Sequence, residues 1–248
     1  MRALQGRNLT YSLVETLGQA IVTGEYDSKR FPTEAELSLQ FGASRSITRE
    51  AVKMLTAKGL LSARPRQGTS VQPQAHWNLL DPEVLRWLLE RKFSLKLLSE
   101  FTEIRLAIEP VAASLAARNA DEAMLEEIRL GIERMRAAAR GEDDALSADI
   151  AFHVAILSAT NNHFYEQLRV LVNTALRISI RYTNRLKGHT ASLPAHEKVY
   201  EAIAAHDPVT AADAMRVIIV DVLQLIEAGM PEQKARVAPP VKRKAKRR

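Results

Sequence analysis

The stretch from Phe31 to Val71 constrains this chain more than any other, because it encodes two capped helices and a hairpin in close succession. It opens with Phe31-Pro32-Thr33-Glu34-Ala35-Glu36-Leu37. Thr33 followed three residues later by Glu36 is a capping box, in which each side chain satisfies a backbone N–H that the first turn leaves unpaired. Leu37 and Phe41 then fall one turn apart on one face, and Gly42 ends the helix by permitting a tight left-handed turn. A second helix runs from Ser44 to Leu55. Ile47, Ala51, Met54 and Leu55 form its inner stripe, while Arg45, Ser46, Arg49 and Lys53 project from the other side. Gly59-Leu60-Leu61-Ser62-Ala63-Arg64 predicts a helix end and a strand, Pro65-Arg66-Gln67-Gly68 a turn, and Thr69-Ser70-Val71 the returning strand. An arginine-bearing second helix suits a major groove, where arginine pairs bidentately with guanine. A hairpin carrying Arg64 and Arg66 suits an adjacent groove or its phosphates. The bland alternative is a solvated charged helix face; the basic hairpin directly after it argues for DNA.

The charge distribution agrees. Of the net +6, residues 1–75 contribute +4, residues 76–241 contribute −4, and the terminal Lys242-Arg243-Lys244-Ala245-Lys246-Arg247-Arg248 supplies +6. A basic first part fits a polyanion partner and the acidic middle does not. The tail after Ala238-Pro239-Pro240 reads as disordered. It either adds salt-sensitive phosphate attraction or serves solubility alone. There is no cysteine, so disulfides and thiolate metal sites are excluded. No run approaches the ~20 apolar residues of a membrane span, and Met1-Arg2-Ala3-Leu4-Gln5 lacks a signal-peptide core. The expectation is a cytoplasmic protein.

The order P-T-E-A-E-L, G-A-S-R-S-I-T-R-E-A, K-G-L-L and R-P-R-Q-G-T-S-V, over about residues 10 to 73, resembles the DNA-binding domain of GntR-family bacterial transcription regulators. The resemblance implies Arg45 and Arg49 as base readers. Ser44, Ser46 and Thr48 would contact phosphates or support those contacts, Thr33 would lie at the DNA-facing helix start, and Gly68 would sit in the wing tip. Ala35 stands where many relatives carry arginine, so one contact from the first helix of the motif is missing and the operator differs accordingly.

From about residue 80 the apolar residues recur at three and four and glycine is scarce, which predicts helices near 81–91, 95–118, 121–139, 144–159, 163–185, 194–205 and 208–228. The expected fold is mainly α: an N-terminal winged helix-turn-helix with a small β-hairpin wing, then an antiparallel helical bundle. The expected divisions are a DNA-binding domain at 1–73, a linker at 74–80, an effector-binding and dimerisation domain at 81–230 and a disordered basic tail at 231–248. Trp77 and Trp87 are expected to pack the two domains together.

Glu103-Ile104-Arg105-Leu106-Ala107-Ile108-Glu109-Pro110, Ala148-Asp149-Ile150-Ala151-Phe152-His153 and His196-Glu197-Lys198-Val199-Tyr200 resemble the ligand-binding FCD bundle of the FadR subfamily. The run Trp77–Trp87 is most similar to regulators of sugar-acid, galactonate-type, catabolism. Asp149 and His153 are four apart and share a helix face. With His196 from a later helix they are able to bind one divalent cation such as zinc. The resemblance implies a further histidine where this chain has Ile218, so the set holds three protein groups at most, as catalytic zinc sites do. The alternatives are a metal-free polar pocket that hydrogen-bonds an effector and a structural ion-pair network.

Arg105 lies in an apolar helix and needs an anionic partner. Glu109 or Asp149 would serve, or an effector carboxylate held bidentately; the small carboxylate ligand that the resemblance implies makes the clamp the expectation. Arg181-Tyr182-Thr183-Asn184-Arg185 gives a long helix a polar end, where Thr183 and Asn184 offer partners for effector hydroxyls or simply meet solvent. His76, His163, His189 and His206 are expected at the surface or at caps.

The sequence thus predicts a regulator that binds a palindromic double-stranded operator as a homodimer. It would act as a repressor of a sugar-acid or other small-carboxylate catabolic operon, released by effector, and not as an enzyme. The competing readings are a nonspecific or architectural DNA-binding protein and a metal-dependent enzyme on the bundle.

Overall fold

The computed structural model describes the backbone of residues 2–64, 68–91, 94–187 and 192–237; side chains at 2–8, 91, 178, 180–187 and 230–237 lie outside the description. The chain forms two compact units, Met1–Phe93 and Ser94–Arg248.

In the first unit α1 (Arg2–Val22) packs on α3 (Arg45–Ala57) and α4 (Pro82–Arg91), with α2 (Glu34–Phe41) against α3. Thr33 caps α2 in the expected box with Glu36, and Gly42 closes it at φ 60°. Ser44 caps α3 by accepting from the Ile47 N–H. The core gathers Leu13, Val14, Leu17, Ile21, Leu37, Ala51, Val52, Leu55 and Leu60. The buried stripe of α3 is Thr48, Ala51, Val52 and Leu55, rotated from the expected one: Ile47 and Met54 are only half-buried. Strands β1 (Leu61–Arg64) and β2 (Gly68–Val71) form the expected hairpin, running from the pair Leu61–Val71 to the pair Arg64–Gly68.

The domain boundary differs from the expected linker at 74–80 followed by a bundle from 81. Helix α4 belongs to the first unit. Its Trp87 is fully buried against α1, where a Cβ at Gly18 would stand 2.3 Å from the indole ring. Glu15 of α1 accepts from the Trp87 indole N–H at 2.8 Å and from Arg86 at 2.6 and 3.0 Å. Lys58, just past α3, bridges Asp81 at 2.7 Å and Glu83 at 2.6 Å. Trp77 donates to the Gln72 carbonyl. Both tryptophans therefore serve the first unit itself, a correction of the expected interdomain packing.

The second unit holds α5 (Leu95–Asn119), α6 (Glu122–Ala139), α7 (Ala145–Ala159), α8 (His163–Lys187), α9 (Leu193–Ala204) and α10 (Pro208–Val237). Ser94, Asp121 and Asp144 cap α5, α6 and α7. Helix α5 carries Ala112, Ala113, Ala116 and Ala117 into the core, and α5 packs most extensively on α10. Phe152, Ile156, Leu157, Ile128, Ile132, Val199, Ile203 and Met215 fill the centre. The last helix extends beyond the expected 228 to Val237, so the expected tail at 231–248 begins as helix; Glu232-Gln233-Lys234-Ala235-Arg236 are good helix formers. Residues 238–248 lie outside the described residues. Among the described residues no helix is long and apolar enough to cross a membrane.

Candidate functional site

Helix α3 presents one charged face. Arg45, Ser46, Arg49 and Lys53 are exposed, and Arg45, Arg49 and Lys53 stand at successive turns. Among the described residues Arg45, Arg49 and Arg64 make no ion pair, whereas Lys53 lies 3.9 Å from Glu50. Arg64 and Gly68 are exposed at the turn end of the hairpin, with Gly68 at φ 83°; Arg66 lies outside the described residues. Ser44 is exposed, and its hydroxyl accepts from Ile47 N–H at 3.3 Å.

Two expected DNA contacts need correction. Thr48 is fully buried, donates to the Ser44 carbonyl at 3.1 Å and meets the Ser38 hydroxyl at 3.0 Å. It ties α3 to α2 and cannot reach a phosphate. Thr33 is exposed, but its hydroxyl donates to Glu36 at 2.9 Å while accepting from Glu36 N–H. Its proton is spent on the cap.

The second unit holds a closed cluster of ionisable groups. Arg105, Glu109, Asp149, His153 and His196 are all at most 5% exposed. Helix α7 places Asp149 and His153 on its inner face and α9 supplies His196. Asp149 Oδ1 lies 3.1 Å from His196 Nε2 and 3.4 Å from His153 Nε2. Asp149 Oδ1 and His196 Nε2 nevertheless lack any hydrogen bond, so the close approach is not a linear donor–acceptor contact. His196 turns its Nδ1 to the Ser192 carbonyl at 2.8 Å, which assigns the ring proton there and leaves a lone pair on Nε2. His153 Nδ1 lies 2.6 Å from Glu109 Oε2 at an angle too bent for a hydrogen bond. Both imidazoles thus turn Nδ1 to an outer oxygen and Nε2 to Asp149, the arrangement that orients metal-ligating histidines.

The donor atoms fit a cation. One oxygen or nitrogen from each of Asp149, His153 and His196 lies within 4.8 Å of the others. Atoms held at ~2.0–2.1 Å from a tetrahedral ion stand roughly 3.3 Å apart, close to the separations of 3.1 and 3.4 Å. Ile218 is 7% exposed and packed in the apolar core, so it adds no donor.

Sequence reasoning missed Glu109 as a site residue. Arg105 Nε donates to Glu109 Oε1 at 2.5 Å and its Nη2 to Oε2 at 3.3 Å. The expected clamp on an effector is corrected: the guanidinium fork is taken by a carboxylate of its own helix. The signal was available, because Glu109 is four residues from Arg105 in an otherwise apolar stripe; its approach to His153 was not, since that contact crosses helices. Thr183 and Asn184 lie on α8 with side chains outside the description. His76 is exposed, as expected, and His206, at φ 54°, meets the Ala117 carbonyl at 2.9 Å; His189 lies outside the described residues.

Burial opposes charge throughout this cluster, and charge partners win. Glu109 is pushed up by burial, but the neighbouring Arg105 and His153 lower it to about 2. Asp149 is desolvated, yet its contact with His153 holds it below the usual carboxylate range. Burial lowers His153, and Glu109 and Asp149 outweigh that to raise it to about 9. In metal-free protein this raised histidine adds stability that is complete below about pH 6.5 and lost as pH rises through about 9. Chelator-treated protein should therefore melt at progressively lower temperature between those limits. Glu109→Gln should flatten that slope, and a flat profile in unmodified protein would show that His153 is not charged there.

Arg105→Ala should leave Glu109 buried without its main partner and destabilise the fold by about 3–5 kcal/mol. Denaturant unfolding reads this directly, and a wild-type midpoint with an unchanged slope would refute the pairing's importance.

Residues 9–71 match the model of the bacterial regulatory proteins of the gntR family, and residues 100–221 match the FCD domain. The galactonate operon transcriptional repressor of Escherichia coli (strain K12) is 33% identical over 217 residues, 86% of this chain and 94% of that one. The HTH-type transcriptional regulator LutR of Bacillus subtilis (strain 168) is 30% identical over 202 residues, 79% and 90% of the two chains. The probable D-xylose utilization operon transcriptional repressor of Paenarthrobacter nicotinovorans is 27% identical, with 84% and 87% covered. The solved structure of Lar from Listeria monocytogenes superimposes with a TM-score of 0.56 at 19% identity, covering 88% and 96%, and shows the shared fold.

Proposed function

Because the chain belongs to the GntR family of bacterial transcription regulators and carries their FCD domain, we propose that it represses a catabolic operon and releases its operator when a small carboxylate binds the helical bundle. It is a DNA-binding regulator and not an enzyme. The observation that carries the effector reading is the buried set Asp149, His153 and His196, whose ligand atoms lie within 4.8 Å of one another, with Asp149 Oδ1 and His196 Nε2 unpaired. These three residues would hold a divalent ion, zinc by its nitrogen-rich ligands. The ion supplies a positive point that attracts an anionic oxygen.

The chain's own residues set the rest. Glu109 and the Ser192 carbonyl orient His153 and His196, and Arg105 neutralises Glu109 rather than touching the effector. With His153 neutral, the Arg105 and Glu109 charges cancel and Asp149 offsets one charge of the ion. A net positive site with an open position, kept open by Ile218, favours a carboxylate. Thr183 and Asn184 would approach the effector's hydroxyl groups. A sugar acid is the preferred class, supported by the galactonate operon repressor among the relatives.

On the DNA side, Arg45 and Arg49 would read bases, Ser44 and Ser46 would bind phosphates, and Arg64, Arg66 and Gly68 would follow the backbone or the next groove. One winged helix covers one half-site, so the operating form is a homodimer on a palindrome. Effector drives release only through differing affinity for the DNA-bound and free arrangements.

Selection of bound duplexes from random DNA, followed by titration of the zinc-loaded complex with galactonate, xylonate and lactate, tests this reading. A palindromic consensus released by at least one acid is expected. Selected DNA without a consensus would favour an architectural protein, and a complex indifferent to all three acids would refute the effector class.

A further inference from the structure

Four buried side-chain atoms of the described residues have no hydrogen-bond partner. Three belong to Asp149, His153 and His196, and the fourth is Ser179 Oγ on α8. Ser179 is 2% exposed. A buried hydroxyl in a helix ordinarily donates to the carbonyl one turn back, as Thr48 does to Ser44 and Thr102 to Leu98. Ser179 does not, although the carbonyl of Ala175 is in the same relation to it. A hydroxyl left unpaired in a desolvated place is costly, and each such case needs an explanation.

Its position supplies one. Among the described side chains of α8, Leu171, Val172, Ala175, Leu176 and Ser179 are the buried ones, spaced as one inward stripe. Helices α7 and α8 are joined through Thr160–Asn162 and pack together, and α5, which carries Arg105, meets both. They form an antiparallel hairpin. Ser179 is about six residues further from that turn than Asp149, an axial offset of about 9 Å at the helical rise. A ligand whose carboxylate sits at the Asp149–His153–His196 end reaches Ser179 only if its chain continues and ends in oxygen.

We infer that Ser179 Oγ is the far contact of the effector pocket and selects a polyhydroxy acid over a short carboxylate. This rests on the carboxylate reading above. The unpaired hydroxyl pays a stability cost in the empty protein that the ligand's hydroxyl removes on binding. A site built to hydrogen-bond a hydroxyl rejects ligands lacking one, because its own polar group then stays unpaired.

The test uses full-length, zinc-loaded protein, with acetate as the short probe and xylonate and galactonate as the long ones, measured by calorimetry in wild type and Ser179→Ala. Loss of one hydrogen bond should weaken the better aldonate roughly tenfold and leave acetate and zinc affinity unchanged. Because the substitution removes an unpaired group, the empty variant should also melt at higher temperature than wild type, which a structural role for the hydroxyl would reverse. Unchanged aldonate affinity, equal weakening of all acids, or wild-type protein that binds acetate but neither aldonate would each overturn the inference while sparing the carboxylate reading. Wild-type protein that holds zinc and binds none of the acids would sink both.

Discussion

Arg49→Ala should abolish operator binding while the protein folds as before. Arg49 is exposed on α3 and makes no ion pair among the described residues, so its removal takes nothing from the core. A bidentate arginine–guanine contact is worth about 1–3 kcal/mol, and a dimer on a palindrome loses it twice, which converts to a drop of roughly 30-fold to 25,000-fold. Arg49→Lys should fall between, because it keeps the charge and loses the fork. Gel shift against the selected operator, with a melting curve for each variant, measures this. A folded Arg49→Ala protein with wild-type affinity would remove Arg49 from the base-reading residues.

Asp149→Asn should uncouple the bundle from DNA. Asp149 is the carboxylate that, among the described residues, faces both histidine Nε2 atoms, and an amide is a poor ligand for zinc. Outer-shell changes alone cost 10–100-fold in metal affinity, so loss of a ligand should exceed about 100-fold. Asparagine has nearly the same shape, and its amide N–H can donate to the His196 Nε2 that now has no partner. The metal-free variant should therefore melt close to metal-free wild type. Elemental analysis should find little zinc, and the variant should hold its operator in the presence of every acid that releases wild type. Stoichiometric zinc in Asp149→Asn would show that the ion, if bound, is held elsewhere.

Much of the first unit was legible because its signals are local. A capping box, a glycine stop and a serine cap each act within four residues, and the structure has Thr33, Gly42 and Ser44 in those places. The hairpin was legible for the same reason. The bundle's helices emerged from apolar periodicity, though α10 ran on beyond its apolar stretch because its last residues still favour helix. Misreadings arose where a neighbour decided. Thr48 looks like part of a polar face until Ser38 of α2 packs on it. Residues 82–91 look like the opening helix of the bundle until Glu15 and Gly18 of α1 receive Arg86 and Trp87.

The buried site divides the same way. Spacing alone put Asp149 and His153 on one face, because four residues are about one helical turn, and put Arg105 and Glu109 in reach of each other. Periodicity says which residues share a face and nothing of which face meets it across the core. Tertiary packing brought α5 against α7 so that Glu109 meets His153, brought α9 in so that His196 meets Asp149, and left Ser179 buried without a partner. Sequence by itself determined a DNA-reading head and a helical bundle with the means to bind a cation. Only the packed structure decided that Arg105 is spent on Glu109, because a desolvated arginine takes the nearest carboxylate that burial leaves it.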